Sequence, residues 1–262
     1  MIKENTRFVD SCIFEGMTSI RAIIKSMQQN ISDRKIKKIL YDKSKLHKNI
    51  KNIGYLKAVS HKLEFIVEET DADEIDKLTL GESHGGIIAI ATNRTIPTLN
   101  NTSNIKSDGF YVMIEGIEDP YNFGYALRSL YPCGCDGIIL PERNWMSAAG
   151  VVARSSAGAS ELFEMYSANA SEASDFFKAL GYKIICADEN TDNTLGQCEI
   201  PSPTLLIVGG EKRGISSALL KKADLLIKID YAREFKASLS AASATTMFAY
   251  EIMRQKKQKQ LI

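Results

Sequence analysis

The sequence has little of what several large protein classes require. No stretch of its 262 residues approaches the roughly 18 apolar residues of a membrane-spanning helix. The first residues lack the apolar core of a secretory signal, so we expect a cytoplasmic protein with no membrane partner. The five cysteines form no C-x-x-C pair, and the three histidines lie at no metal-ligand spacing. We therefore expect reduced thiols and no metal site.

Three familiar catalytic signatures are also missing. No G-x-G-x-x-G follows a predicted strand, which argues against an NAD-type fingerprint. The stretch GGEKRGIS, residues 209–216, lacks the Gly-Lys-Ser/Thr ending of a phosphate-binding loop. No G-x-S-x-G nucleophile elbow occurs either. The function must therefore be argued from other segments.

The formal net charge is only +1, but the charges are unevenly distributed. Residues 34–62 carry many cations and a single acid, Asp42, whereas acids dominate residues 64–76. A basic stretch of this kind suits a polyanion such as RNA, and a pair of solvated helix faces is the alternative interpretation. On the first interpretation, the predicted RNA-binding residues are Arg34, Lys35, Lys37 and Lys38.

Alternating helical and strand patterns predict an α/β fold in two domains. Residues 94–108 are rich in turn formers and lack periodicity, which is typical of a linker. The linker would separate a small α/β domain over residues 1–93 from a larger one over 109–262. In the larger domain, short apolar runs predict parallel strands at Tyr111–Glu115, Asp136–Leu140, Lys183–Ala187, Thr204–Val208 and Asp224–Ile229.

Three short polar segments follow strands of the predicted sheet. They are EDPYNFGYALR at Glu118–Arg128, VGGEKRGI at Val208–Ile215, and SLSAASA at Ser238–Ala244, which opens a helix predicted over Ser238–Gln258. Because parallel strands end at one edge of a sheet, these segments are expected to share one ligand crevice.

Most residues of interest in these segments also have a structural explanation. Asn122 and Ser238 are suited to cap helices, and Arg128 alone would be a surface or ion-pairing arginine. Gly209 and Gly210 allow the backbone to approach a ligand closely, but they also suit a plain strand-to-helix turn.

Taken together, the three segments resemble the motifs of the SpoU (TrmH-like) branch of knotted RNA 2'-O-ribose methyltransferases, over roughly residues 108–262. The small-residue stretch Ala153–Ala159 resembles a helix that the family has between motifs one and two. Residues 1–93 resemble the family's L30e-like substrate-binding domain. Phe14–Ile20 lies where that domain starts its first helix, and Gly81–Gly86 lies where its members carry a His-Gln-Gly turn.

The resemblance implies a SPOUT-type parallel sheet with a deep trefoil knot that forms the S-adenosylmethionine pocket, and it implies a homodimer. The cofactor-binding residues would be Gly209, Gly210, Ile229 and Leu239. The residues around the reacting ribose would be Asn122, Arg128, Glu211, Ser238 and Ser240. A guanidinium is always protonated in proteins, so the predicted role of the arginine is to fix an RNA phosphate and favour the developing alkoxide.

One position departs from the family pattern, because Ser240 stands where members usually have asparagine after Ser-Leu. The expected function is nevertheless that of an S-adenosylmethionine-dependent RNA 2'-O-ribose methyltransferase acting on structured RNA, with ribosomal RNA favoured. Transfer RNA is the alternative substrate. A catalytically lapsed RNA-binding or ribosome-assembly protein is the alternative function that the serine motivates.

Overall fold

The computed structural model describes residues 12–79, 84–141, 148–210 and 214–259. The strands are β1 Ile13–Glu15, β2 Ile36–Asp42, β3 Ile66–Thr70, β4 Ile87–Ala91, β5 Phe110–Ile114, β6 Gly137–Leu140, β7 Glu164–Ser167, β8 Lys183–Ala187, β9 Thr204–Val208 and β10 Leu225–Ile227. The helices are α1 Gly16–Gln29, α2 Leu46–Leu63, α3 Ala72–Leu78, α4 Pro120–Leu130, α5 Ala149–Ser155, α6 Ala170–Ala179, α7 Ser217–Leu220 and α8 Ala241–Lys259. Within the described ranges, no helix has the length and apolar character needed to cross a bilayer.

The chain divides into two compact units, each described by itself. The first contains Met1–Thr95 together with Trp145–Leu162, and the second contains Ile96–Asn144 together with Phe163–Ile262. This division differs from the predicted linear order of domains, because a later segment containing α5 belongs to the first unit. The difference has a physical cause in the small residues of α5.

The first unit is built on a mixed four-stranded sheet in the order β1-β4-β2-β3. Only β2 and β3 run parallel; the other pairs are antiparallel. Ala149 and Ala153 of α5 belong to the apolar core of this unit. A Cβ atom on Gly150 would lie 2.2 Å from the carbonyl oxygen of Ile13 in β1, so the helix backbone lies directly against the strand.

The second unit contains a six-stranded sheet in the order β10-β8-β9-β5-β6-β7, and every pair is parallel. All residues of β5, β6 and β9 are buried, as expected for strands covered on both faces. The predicted α/β fold with a parallel sheet is confirmed. The trefoil knot and the L30e-like character of the first domain stay predictions.

Residues 94–108, all of which the structure describes, form no helix but are packed against both preceding and following segments. In the first unit, Arg94 donates a hydrogen bond to the Ser160 carbonyl at 3.0 Å. In the second unit, residues 97–99 run beside β7, where Leu99 donates to Ser167 at 2.9 Å and Ser167 donates to Pro97 at 2.8 Å. The predicted linker is therefore held in place by hydrogen bonds rather than being a free connection.

Candidate active site

The parallel strands of the second unit end at one edge of its sheet. Among them, β8, β9 and β5 end at the same level. Strands β5 and β8 flank β9, and their last paired row is centred on Val208. The next row holds Glu115, Gly209 and Asp188. The ladder continues into this row, because the Glu115 N–H donates to the Val208 carbonyl at 2.8 Å. Ligands of parallel α/β sheets bind beyond this edge.

The segment after β5 leads directly into α4. The carboxylate of Asp119 accepts hydrogen bonds from the backbone N–H groups of Tyr121 and Asn122 at 3.1 and 3.2 Å, so Asp119 is the N-cap. The interpretation of Asn122 as the cap is therefore wrong. Asn122 is partly buried in the first helical turn, and Arg128 is exposed near the helix end. Six residues along a helix rotate by about 240°, so these two side chains leave different faces.

The segment after β9 lies backbone to backbone against its neighbours. A Cβ atom on Gly210 would lie 2.3 Å from the Gly116 carbonyl oxygen, and one on Gly209 would lie 2.6 Å from the carbonyl carbon of Gly214. Both positions therefore require glycine, as predicted for a close approach. The partner that approaches is the protein's own backbone, and Glu211 lies outside the described residues.

The third segment begins its helix later than predicted. Helix α8 starts at Ala241, and the Ser240 hydroxyl oxygen accepts the N–H of Ser243 at 3.2 Å. Ser240 therefore caps the helix, and the prediction that Ser238 does so is wrong. Ser238 is exposed and lies before the helix.

The segment after β10 forms a hydrogen bond with the start of the third segment. The backbone N–H of Leu239 donates to the phenolic oxygen of Tyr231 at 3.1 Å. Ile229, a predicted cofactor-binding residue, lies two positions beyond β10 and is partly buried. Tyr231 and Phe235 pack their rings against each other with centroids 6.1 Å apart, and both are exposed.

Residues beside the first segment connect it to the other two. Gly116, two positions before it, lies against Gly210 of the second segment. Helix α4 packs on α8, where Thr246, two positions after the third segment, donates a hydrogen bond to Ser129 at 2.8 Å. The structure thus places the second segment against the turn before α4 and the helix of the third segment alongside α4.

Glu115 is a site residue that sequence reasoning missed. Its Oε2 atom is buried without a hydrogen-bond partner among the described residues. Burial raises the pKa of this carboxyl above its ordinary value. A glutamate that directly follows an apolar strand and precedes a glycine was the available signal, because an acid at a buried strand end needs a partner.

The predicted RNA-binding residues of the first unit are not equivalent. Arg34 is 1% exposed and forms an ion pair with Glu161, so its prediction as an RNA contact is corrected: its guanidinium is inside the protein. Lys38 is bonded to Glu68 at 2.9 Å across the parallel β2–β3 pair. Lys35 and Lys37 are exposed.

Comparison with known proteins agrees with this arrangement. The SpoU rRNA Methylase family matches residues 109–250. A putative TrmH family tRNA/rRNA methyltransferase of Staphylococcus haemolyticus is 27% identical over 198 residues, which are 74% of this chain and 79% of the relative. The putative TrmH family tRNA/rRNA methyltransferase YacO of Bacillus subtilis is 23% identical over 90% of this chain and 93% of its own.

Solved structures share the fold over nearly the whole chain. The SpoU methyltransferase AviRb from Streptomyces viridochromogenes, in complex with the cofactor AdoMet, superposes with a TM-score of 0.76 at 18% identity, covering 98% of this chain and 99% of that one. An RNA 2'-O ribose methyltransferase superposes with a TM-score of 0.73 at 17% identity, covering 98% and 97%. Since the family match spans more than half of the sequence and contains all three motif segments, the chain belongs to the SpoU rRNA methylase family of RNA methyltransferases.

Proposed function

We propose that this protein transfers a methyl group from S-adenosylmethionine to the 2'-oxygen of a ribose in RNA, and that the RNA is ribosomal. The observation that carries the proposal is that the chain on either side of the first motif segment meets the second segment at Gly116 and the helix of the third at Ser129. One crevice at the carboxyl edge of the sheet can then hold a cofactor beside a sugar.

The residues at this edge fit the cofactor. Gly116 and Gly209 present backbone groups that no side chain covers, and Gly210 lets the two segments meet closely. Glu115 offers a buried oxygen that has no hydrogen-bond partner in the described part of the chain. Ile229 and Leu239 are suited to apolar contacts beside the same ligand. When bound, S-adenosylmethionine supplies an electrophilic methyl group on a sulfonium sulfur.

The polar residues of the first and third segments act on the RNA side. A bond forms between the 2'-oxygen and the methyl carbon, the carbon–sulfur bond breaks, and the hydroxyl proton leaves to solvent. Arg128 holds a phosphate and stabilises negative charge on the oxygen as that proton departs. Asn122 and Ser238 orient the ribose, and such alignment can contribute much of the rate enhancement. Glu211 completes this set on the family pattern.

Two surfaces are suited to the RNA itself. Lys35 and Lys37 are exposed cations that can neutralise phosphates. Phe235, which is 60% exposed, and Tyr231 present aromatic rings beside the third segment. Rings of this kind stack on unpaired bases, which structured RNA exposes in its loops.

We also propose that the protein acts as a homodimer through α4 and α8. Tyr125 lies one turn before Ser129, and Tyr250 lies one turn after Thr246, so both exposed rings flank the hydrogen bond that joins the helices. Exposed aromatic residues grouped in this way are typical of an interface. Tyr250→Glu should yield monomers by light scattering, whereas Ile50→Glu, an exposed apolar residue of α2, should not. A dimeric Tyr250→Glu protein would remove this part of the proposal.

The decisive experiment maps ribose methylation by mass spectrometry in ribosomal and transfer RNA from cells with and without the protein. Loss of one 2'-O-methyl group from ribosomal RNA is expected. Loss of a 2'-O-methyl group from transfer RNA would instead make transfer RNA the substrate. If no ribose methylation changes and calorimetry detects no binding of S-adenosylmethionine, the lapsed RNA-binding protein suggested by Ser240 would replace the proposed enzyme.

A further inference from the structure

One carboxyl oxygen in the described part of the second unit is buried without a hydrogen-bond partner. The Oε2 atom of Glu115 is closed off from solvent and forms no hydrogen bond within the described ranges. Buried polar atoms in folded proteins nearly always have a partner, and an exception calls for an explanation such as a ligand that completes the site. Burial raises the pKa of Glu115, and no cation of the described residues offsets this effect.

Among the described residues, another acid lies near Glu115. The pKa of the buried Cys186 thiol is raised to about 12, first by burial and then by Asp188 and Glu115, so both carboxylates lie near this thiol. Asp188 is partly exposed and accepts the N–H of Asn190 at 2.8 Å. Of the two carboxylates, Glu115 is the one with an oxygen left unsatisfied.

The position of Glu115 links it to the proposed cofactor site. It occupies the same row as Gly209, immediately beyond the last paired row of β5 and β9. Its neighbour Gly116 meets Gly210 backbone to backbone. A ligand held by the glycine segment after β9 would therefore lie beside this carboxyl group.

We propose that Glu115 binds the cationic part of S-adenosylmethionine, which gives its Oε2 atom the partner that it lacks among the described residues. The inference rests on the proposed function, because it requires that cofactor. The ligand carries two positive groups, a sulfonium and an α-ammonium, and either is complementary to a carboxylate. A site removed from water strengthens the attraction. Since a nearby cation favours the ionised carboxylate, binding should lower the pKa of Glu115.

Calorimetry with S-adenosylmethionine and S-adenosylhomocysteine tests the proposal, because only the former carries the sulfonium charge. Glu115→Gln should lower the affinity for S-adenosylmethionine by roughly tenfold or more, as for a lost charged hydrogen bond. A loss confined to S-adenosylmethionine assigns the sulfonium, and an equal loss for both ligands assigns the ammonium. Glu199→Gln, the same substitution at an exposed residue paired with Lys259, should leave both affinities unchanged.

The free energy of unfolding, measured as a function of pH, separates an effect on binding from an effect on folding. Because burial raises the pKa of Glu115, the stability that its protonated form provides is lost as pH rises through the folded-state value. Glu115→Gln should therefore be at least as stable as the wild type above that pH, and the pH dependence of binding that the Glu115 carboxyl contributes should disappear. Normal binding of both ligands by Glu115→Gln, whatever its stability, would overturn the proposal. Failure of the wild type to bind S-adenosylmethionine at all would instead refute the proposed function.

Discussion

Arg34 and Glu161 form an ion pair at 2.8 Å with side chains only 1% and 3% exposed. The guanidinium also donates to the Thr92 carbonyl at 2.7 Å and lies over the ring of Phe14. Such a pair adds little net stability over apolar residues, but each partner depends on the other. The removal of one charge leaves the second buried without compensation.

Glu161→Gln should therefore lower the free energy of unfolding by about 3–5 kcal/mol, measured by denaturant titration. The matched control is Glu68→Gln, which removes an exposed partner of Lys38 and should change stability by less than about 1 kcal/mol. Equal effects of the two substitutions would show that burial does not govern the first pair.

Arg128 is the residue on which the proposed chemistry depends most. Arg128→Ala should reduce methylation by about 10²- to 10³-fold, as expected when a donor to developing negative charge is removed. Cofactor affinity should stay near the wild-type value, because the side chain is assigned to the RNA side. Arg128→Lys keeps the charge but not the planar fork, so its activity should be intermediate. A radioactive methyl-transfer assay measures all three proteins, and wild-type turnover by the alanine variant would remove the assignment.

The buried pair also marks a limit of sequence reasoning at the scale of single residues. Arg34 stands at the head of a basic stretch, and nothing local distinguishes it from Lys35. Its partner lies 127 residues later in the chain. Glu115 was missed for a related reason, because burial of one oxygen depends on neighbours that the strand pattern does not reveal.

At the scale of elements, Gly209 and Gly210 after β9 have little room for a side chain. Gly210→Ala would bring a Cβ atom within 2.3 Å of a backbone oxygen that has little room to move. We expect a loss of about 1–3 kcal/mol in unfolding free energy together with weaker cofactor binding.

Gly54→Ala in α2 is the control, since its Cβ atom would meet nothing within 4 Å among the described residues. There the helix propensity of alanine should raise stability by up to about 1 kcal/mol. Thermal unfolding compares the two variants. A Gly210→Ala protein as stable as the control would show that the turn can relax.

Elements with strong patterns were predictable and their ends were not. Strands β8 and β9 coincide with their predicted ranges because each is a continuous apolar run between turn residues. Helices α4 and α8 begin at other residues than predicted, since Asp119, Asn122, Ser238 and Ser240 are all capable caps. Only the three-dimensional course of the chain selects among them. Strands β1 and β7 were not predicted, because each contains a glutamate and neither is a continuous apolar run.

For the whole molecule, the basic stretch yields a test of RNA binding. Reversal of charge at the exposed pair, Lys35→Glu with Lys37→Glu, should weaken RNA binding by a similar factor for all sequences and reduce its salt dependence. Lys38→Glu is the comparison, because Glu68 already neutralises that cation. The affinity for RNA, measured over a series of salt concentrations, distinguishes the double variant from Lys38→Glu. An unchanged salt slope in the double variant would identify the stretch as a solvated face.

The membership of α5 in the first unit has a consequence for biosynthesis. The amino-terminal unit cannot acquire its full core until residue 162 has left the ribosome, since Ala149, Ala153 and the partner of Arg34 arrive last. A nascent chain halted near residue 95 would present apolar side chains and an uncompensated buried cation to chaperones. Truncation there should yield an aggregation-prone fragment, whereas insertion of 145–162 behind a short linker should restore a soluble one.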